Sequence, residues 1–323
     1  MSRSGDAGPI PSADAAVADD RSMHGTTVDE INRLLALLGR IPDDVRQFTH
    51  TAEDARQRYG FTGDLLETMI GAGLPHRRDT HGAARYDLTD LKNMATHLTV
   101  GAGPRAALRY WAAAYNRATS QVNYEVRYRV KCPTPGHSGR CRYRALMPGG
   151  QVVEREAAPD DAQPLPVVRF TLGNDWPDLP ASVRDVLAEV EGLTFMNLPE
   201  ILRWDLDFMR RTGLADCAGA AKLLVTEGRR RGLAVRSSYG LLATAPYSTT
   251  HHWSEFAVED RWVPVDPLLI NLMIRIGVLD AGRWTPARSP GSVLSRVVDH
   301  QGPPIVSHDG VPIDVTFPTR VKV

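Results

Sequence analysis

Gly213-Leu-Ala-Asp-Cys217-Ala-Gly-Ala-Ala221, His251-His-Trp-Ser-Glu-Phe256 and Arg261-Trp-Val-Pro-Val-Asp266-Pro267 decide how this chain reads. In that order they supply a thiol, an imidazole and a carboxylate. A thiol becomes a strong nucleophile only when its proton is taken. An imidazole can take it, and a carboxylate can hold that imidazole in the right tautomer. Taken singly, a cysteine is most often a small buried hydrophobe. Three such groups in order point to nucleophilic catalysis by Cys217, His251 and Asp266.

The local pattern brings the three together. Ala218, Ala220, Ala221, Leu223, Leu224 and Val225 follow Cys217 with helical character, and the run closes near Gly228. A cysteine at a helix head faces the positive end of the dipole, which favours thiolate. Backbone N–H groups there can also receive an oxyanion. His251 opens a strand, Glu259-Asp260 makes a turn, and a second strand ends at Asp266. Alternation along the first strand puts His251 and His252 on opposite faces, so only one of them meets the thiol.

These pieces resemble the catalytic core of the transglutaminase-like superfamily, which shares its logic with papain-type cysteine proteases. The likeness rests on Cys217 at a helix head, His251-His-Trp253-Ser-Glu255, and Trp262-Val-Pro-Val-Asp266-Pro267. Arg231-Gly-Leu-Ala-Val-Arg236 is similar to the family's Gly-Ile-Pro-Ala-Arg link between helix and strand. The family often carries Gly two places before its cysteine; Ala215 stands there in this chain. The resemblance implies an α+β fold, with helices packed on an antiparallel sheet. It assigns His251, rather than His252, as the base and Asp266 as its orienting group. It also implies acyl transfer from an amide or thioester through an acyl-enzyme, on a peptide-like, protein or carrier-bound substrate. Water as acceptor gives a hydrolase or peptidase, and an amine gives a transamidase or amide synthase. No cofactor is implied. Trp176 and Trp204, upstream of the cysteine, are candidates for the acyl pocket, with core packing as the alternative job.

The chain has 323 residues, 42% hydrophobic and 24% charged, an ordinary globular composition with room for two or three domains. The 38 basic and 38 acidic residues cancel, so no global field draws it to nucleic acid or membrane. No apolar run is long enough to span a bilayer, and the first 22 residues lack a signal-peptide core. The expected compartment is the cytoplasm, where three cysteines do not form a disulfide framework.

Domain organisation is expected as a disordered tail over 1–22, a helical unit over 23–100 and a catalytic domain over 105–323 that begins with a β-hairpin. The tail is poor in large apolar side chains. Thr27 and Glu30 read as a capping box before Val28, Ile31, Leu34, Leu35 and Leu38 at helical spacing. Residues 47–98 read as helix, helix, hairpin, helix, with Thr51 and Thr62 opening the first two. Together with Arg85-Tyr86-Asp-Leu-Thr-Asp90-Leu91 this resembles an excisionase or MerR-type winged helix-turn-helix. Its second helix, Thr62–Ile70, carries Asp64 and Glu67 and no Arg or Lys, whereas phosphate binding needs cations. Duplex DNA binding is therefore disfavoured against protein or peptide docking or a purely structural appendage. A DNA-binding regulator with a transglutaminase-like sensor domain is the alternative function. A non-catalytic scaffold is disfavoured because it would not need all three groups.

Gly101–Pro104 reads as a linker. Val122, Tyr124, Val126, Tyr128 and Val130 alternate with polar neighbours as a half-buried strand, with Arg140–Met147 returning as its partner. Their connection, Cys132-Pro-Thr-Pro-Gly-His137-Ser-Gly-Arg-Cys141, offers three zinc-ligand types, Cys132, His137 and Cys141. No fourth ligand is evident, and structural zinc sites are almost always four-coordinate, so no metal is assigned; a thiol pair or two inert thiols are the alternatives. Residues 148–166 read as a connecting loop.

Overall fold

The computed structural model describes residues 28–100, 102–117, 121–300 and 302–322. The tail over 1–22 and the Thr27 cap lie outside these. The first unit comprises α1 (Val28–Leu38), β1 (Phe48–His50), α2 (Ala52–Tyr59), α3 (Gly63–Gly71), β2 (His76–Arg78), β3 (Ala84–Asp87) and α4 (Leu88–His97). The helix, helix, hairpin, helix order read from the sequence is thus the order observed, with β1 added beside the hairpin in a sheet ordered β1-β3-β2. Thr51 caps α2 reciprocally: its Oγ1 accepts from the Asp54 N–H at 3.0 Å, and Asp54 accepts from the Thr51 N–H at 2.8 Å. Gly60, with φ 69°, ends α2 in the left-handed region. Arg46 locks the unit from inside. It donates to Asp90 at 2.7 Å and to the carbonyls of Leu38 and Ile41. Burial nevertheless pushes the Asp90 carboxyl up to about 6, against the pull of Arg46.

This unit does not close its core alone. Leu34, Leu38, Met69 and Leu91 pack in one cluster with Met196, Leu198, Leu202, Phe208 and Leu214 of the chain leading to Cys217. Polar contacts cross the same boundary. Asn93 accepts from the Asn197 N–H at 2.7 Å and donates to the Asn197 carbonyl at 3.0 Å. His97 Nε2 lies 2.7 Å from the Phe195 carbonyl, and Arg40 donates to the Thr212 carbonyl at 2.6 Å.

Next comes α5 (Ala102–Tyr115), which begins inside the stretch read as a linker. It is followed by β4 (Gln121–Arg127), β5 (Cys141–Leu146), β6 (Val152–Ala157) and β7 (Val167–Gly173). Helices α6 (Ala181–Leu187), α7 (Glu200–Arg203) and α8 (Leu206–Thr212), with short parallel strands β8 (Thr194–Phe195) and β9 (Leu214–Ala215), lead to α9 (Cys217–Arg230). Then follow β10 (Val235–Leu242), β11 (Tyr247–Val258), β12 (Arg261–Val265), α10 (Pro267–Arg275), β13 (Leu294–Val298), β14 (Val306–His308), β15 (Val311–Pro312) and β16 (Phe317–Lys322). The whole is a mixed helix and sheet fold. Among the described residues no helix is long and apolar enough to cross a membrane.

Apart from the sheet of the first unit and the β8–β9 pair, the described strands form two antiparallel sheets ordered β13-β10-β11-β16-β4-β7, with β12 on β11, and β15-β14-β5-β6. Two expectations are corrected here. β4 and β5 are not a hairpin: β4 pairs with β7 and β16, while β5 pairs with β6 and β14. Period-two alternation tells which face is buried and not which strand is the neighbour. Placing the two strands in different sheets buries Tyr124, Tyr128, Tyr143 and Ala145 in one shared core with Leu241, Val306 and Phe317. Residues 148–166 contain a strand as well. β6 is an exposed edge whose charged residues, Glu154, Arg155 and Glu156, masked it.

Candidate active site

Helix α9 puts Cys217 at its first position, and Asp216 caps it by accepting from the Gly219 N–H at 3.0 Å. Asp216 is itself held by Arg203 at the end of α7, Nε to Oδ2 2.7 Å. Burial raises the Asp216 carboxyl pKa, opposed by the Gly219 N–H and Arg203. Gly219 has to be glycine for this fit: a Cβ there would lie 2.8 Å from the Arg203 carbonyl and 2.5 Å from Met209 Sδ. The head of α9 is therefore pressed onto α7 and α8, and the Cys217 side chain stays partly open to solvent.

Strand β11 carries the imidazole. The Ser254 hydroxyl donates to the Ala221 carbonyl at 3.1 Å, fastening β11 to α9. On one edge β11 changes partner, from β16 at Tyr247 and Ser248 to β12 at Ser254–Val258, and His251 sits between the two stretches. Its Nε2 lies 2.6 Å from Asp266 Oδ2, which leaves Nδ1 for Cys217. Asp266 is fixed in turn as the cap of α10, where Oδ1 accepts from the Leu269 N–H at 3.4 Å. Burial opposes charge on His251, but the Asp266 carboxylate and the Cys217 sulfur outweigh it and push the imidazole up to about 10. The structure thus brings Cys217, His251 and Asp266 together, each from the head or body of a separate element.

His252 faces elsewhere. It stacks on Tyr239 at 4.5 Å between centroids and meets Trp204 edge-on at 5.4 Å. Burial, with the charges of His251 and Arg203, pushes it down to about 3, and its Nδ1 has no hydrogen-bond partner among the described residues. Of the two candidate tryptophans, Trp204 borders this site through His252. Trp176 lies under Arg261, at 4.6 Å, and donates to the Gly173 carbonyl. A groove lined by Tyr239, Thr249, Thr250, Thr316 and Phe317 reaches the ring of Tyr239, which stacks on His252.

Several neighbours gave no signal in the sequence. Arg203 ends the four-residue helix α7. Lys92, from α4 of the first unit, lies within electrostatic range of Cys217, Asp216 and Arg203. It remains solvent-accessible, yet protein packed around it lowers its pKa, while Cys217 and Asp216 hold it up. Lys92 makes no ion pair among the described residues. Away from this site, Cys132, His137, Cys141 and His308 bring their ligand atoms within 4.8 Å of one another. His308 is the group the sequence did not point to.

No curated protein matches the chain. Among solved structures, a candidate cysteine protease from Cytophaga hutchinsonii aligns with a TM-score of 0.30 at 9% identity, covering 62% of this chain and 88% of that one. Residues 202–267, which hold Cys217, His251 and Asp266, match the family model described as the transglutaminase-like superfamily, and that match supports a cysteine-based enzymatic role.

Proposed function

We propose that the protein is an acyl-transfer enzyme whose nucleophile is Cys217, acting on an amide or thioester of a peptide-like or carrier-bound substrate. The observation that carries this reading is the 2.6 Å contact of His251 with Asp266, on an imidazole whose other nitrogen is left for Cys217. His251 takes the thiol proton, and Asp266 stabilises the resulting imidazolium. The sulfur attacks the carbonyl carbon, and the negative charge on its oxygen is met by N–H groups at the head of α9. His251 then returns the proton to the leaving amine or thiol, giving the acyl-enzyme. Water or an amine, deprotonated by the now neutral His251, attacks the same carbonyl and releases Cys217.

The first unit belongs to this reading as a substrate-docking element. Lys92 offers a cation beside the nucleophile, suited to a carboxylate or phosphate on the acyl carrier or peptide. Intact-mass spectrometry after incubation with a panel of aryl thioesters and peptide amides tests the proposal. Expected is an acyl adduct on Cys217 that is missing from Cys217→Ala. Adduct formation unchanged in that variant overturns it. Added primary amines, by diverting product from acid to amide, separate hydrolysis from transamidation.

A further inference from the structure

We propose that Cys132, His137, Cys141 and His308 form a tetrahedral structural zinc site. Two thiols and two imidazoles supply the donors, from three separate places in the chain. Cys132 and His137 lie in the connection between β4 and β5, Cys141 opens β5, and His308 ends β14. The His137 Nδ1 is 3.3 Å from the Cys132 sulfur and 3.3 Å from the Cys141 sulfur. The His308 Nε2 is 3.7 Å from the Cys132 sulfur. Around a tetrahedral zinc, with its usual bonds to sulfur and nitrogen, neighbouring S and N ligands stand about 3.5 Å apart. These three sulfur–nitrogen distances are those of the edges of such a tetrahedron, and all four ligand atoms lie within 4.8 Å of one another.

The surroundings fit the same assignment. The other nitrogen of His308, Nδ1, lies 3.2 Å from Asp309 Oδ2. A proton held there leaves Nε2 bare for a metal, the carboxylate–histidine arrangement that orients zinc ligands. Asp309 is steadied by Arg142, from Nε and from the backbone N–H, both at 3.3 Å. Tyr143 closes on the ring of His308 at 5.2 Å. Gly136 and Gly139 have φ of 67° and 121°, so the two glycines flanking His137 provide the turns that aim it. Sulfur and imidazole donors select zinc over magnesium or calcium, and four protein ligands leave no open position for chemistry. A Cys132–Cys141 disulfide would account for the two sulfurs but not for two imidazole nitrogens converging on them.

The fourth ligand gives the site its purpose. The connection of residues 128–140 has no regular sheet of its own, and β14 is a three-residue strand near the C-terminus. One ion would pin both to β5. It would thereby fix the path of the chain into β16, which pairs with β11, the strand that carries His251.

Elemental analysis of the full chain, reconstituted with zinc under reducing conditions and desalted, is the test. About one zinc per chain is expected, released when a mercurial thiol reagent is added. Cys132→Ser and His308→Gln should each lower the content several-fold, while Cys217→Ala keeps it. Should either ligand variant fail to fold, cobalt reconstitution of the unaltered protein decides, through the thiolate charge-transfer and visible bands of tetrahedral cobalt. Zinc far below one per chain, absence of the cobalt bands, or a Cys132–Cys141 disulfide in a peptide map of the reduced-and-reconstituted protein overturns the proposal.

Discussion

Two places in this molecule set a thiol against an imidazole held by a carboxylate, and they differ in how many donors converge and in what remains open. At Cys217 a single sulfur meets a single imidazole, His251, fixed by Asp266. The sulfur sits at a helix head with part of its surface free. At the mouth of β5 two sulfurs meet two imidazoles, one fixed by Asp309, and Cys141 is fully buried. The first arrangement leaves a sulfur lone pair and a space beside it, which a nucleophile requires. The second spends every donor on a common centre. Number and closure of donors, rather than residue type, separate a reactive cysteine from a ligating one.

Changes that act on one site and spare the other sharpen this contrast. The largest effect is expected from His251→Ala, which should lower turnover on the order of 10²- to 10⁴-fold while zinc content stays near one per chain. Loss of both together would mean that the sites are not separate. Zinc removal by a strong chelator should do the reverse. It should cost about 4 kcal/mol of stability if the ion is held a thousandfold above its dissociation constant, read as a lowered melting midpoint in wild type and in Cys217→Ala alike.

The pH dependence of stability distinguishes the two histidines of the first site. His251 is raised from 6.5 to about 10 in the folded chain, so its contribution is complete below pH 6.5 and is lost as pH climbs through 10. His252 is lowered from 6.5 to about 3, so its neutral form supports the fold above pH 6.5, and that support is lost as pH falls towards 3. His97, lowered to about 4 by burial between the first unit and the core, adds to the acid slope. Melting curves against pH should therefore lose their alkaline slope in His251→Ala and part of their acid slope in His252→Phe. The smallest effect is expected from Lys92→Ala. A cation near the nucleophile that only draws in an anionic substrate should raise KM a few-fold, roughly 1 kcal/mol, and leave kcat almost unchanged. An equal fall in kcat would place Lys92 in the chemistry instead.

The same contrast explains what could be read from the sequence. The grouping of Cys217, His251 and Asp266 was legible because each sits in a simple local pattern: a helix head, the body of a strand and a strand end. Alternation along β11 put His251 and His252 on opposite faces, and the family resemblance chose between them. Three donors of the second cluster could be singled out as candidates, since Cys132, His137 and Cys141 share one short connection, but no metal was assigned to them without a fourth. His308 could not be, because it lies 176 residues beyond Cys132 and is brought back only by the pairing of β14 with β5. That pairing is the information the sequence lacked when β4 and β5 were read as a hairpin. The helix, helix, hairpin, helix order of the first unit was legible from its caps. Its fusion to the catalytic core through Met196, Leu198 and Phe208 was not, since an apolar stripe does not name the surface it covers.

The central claim is that His251 activates Cys217, and it can be tested without knowing the substrate. The measurement is the rate of alkylation of each cysteine by iodoacetamide at neutral pH, followed by peptide mass mapping in zinc-loaded wild type and His251→Ala. Cys217 is predicted to be alkylated far faster than Cys132 or Cys141 in wild type, and to slow markedly in His251→Ala while the other two do not change. Alkylation of Cys217 at the same rate in both proteins would contradict the account.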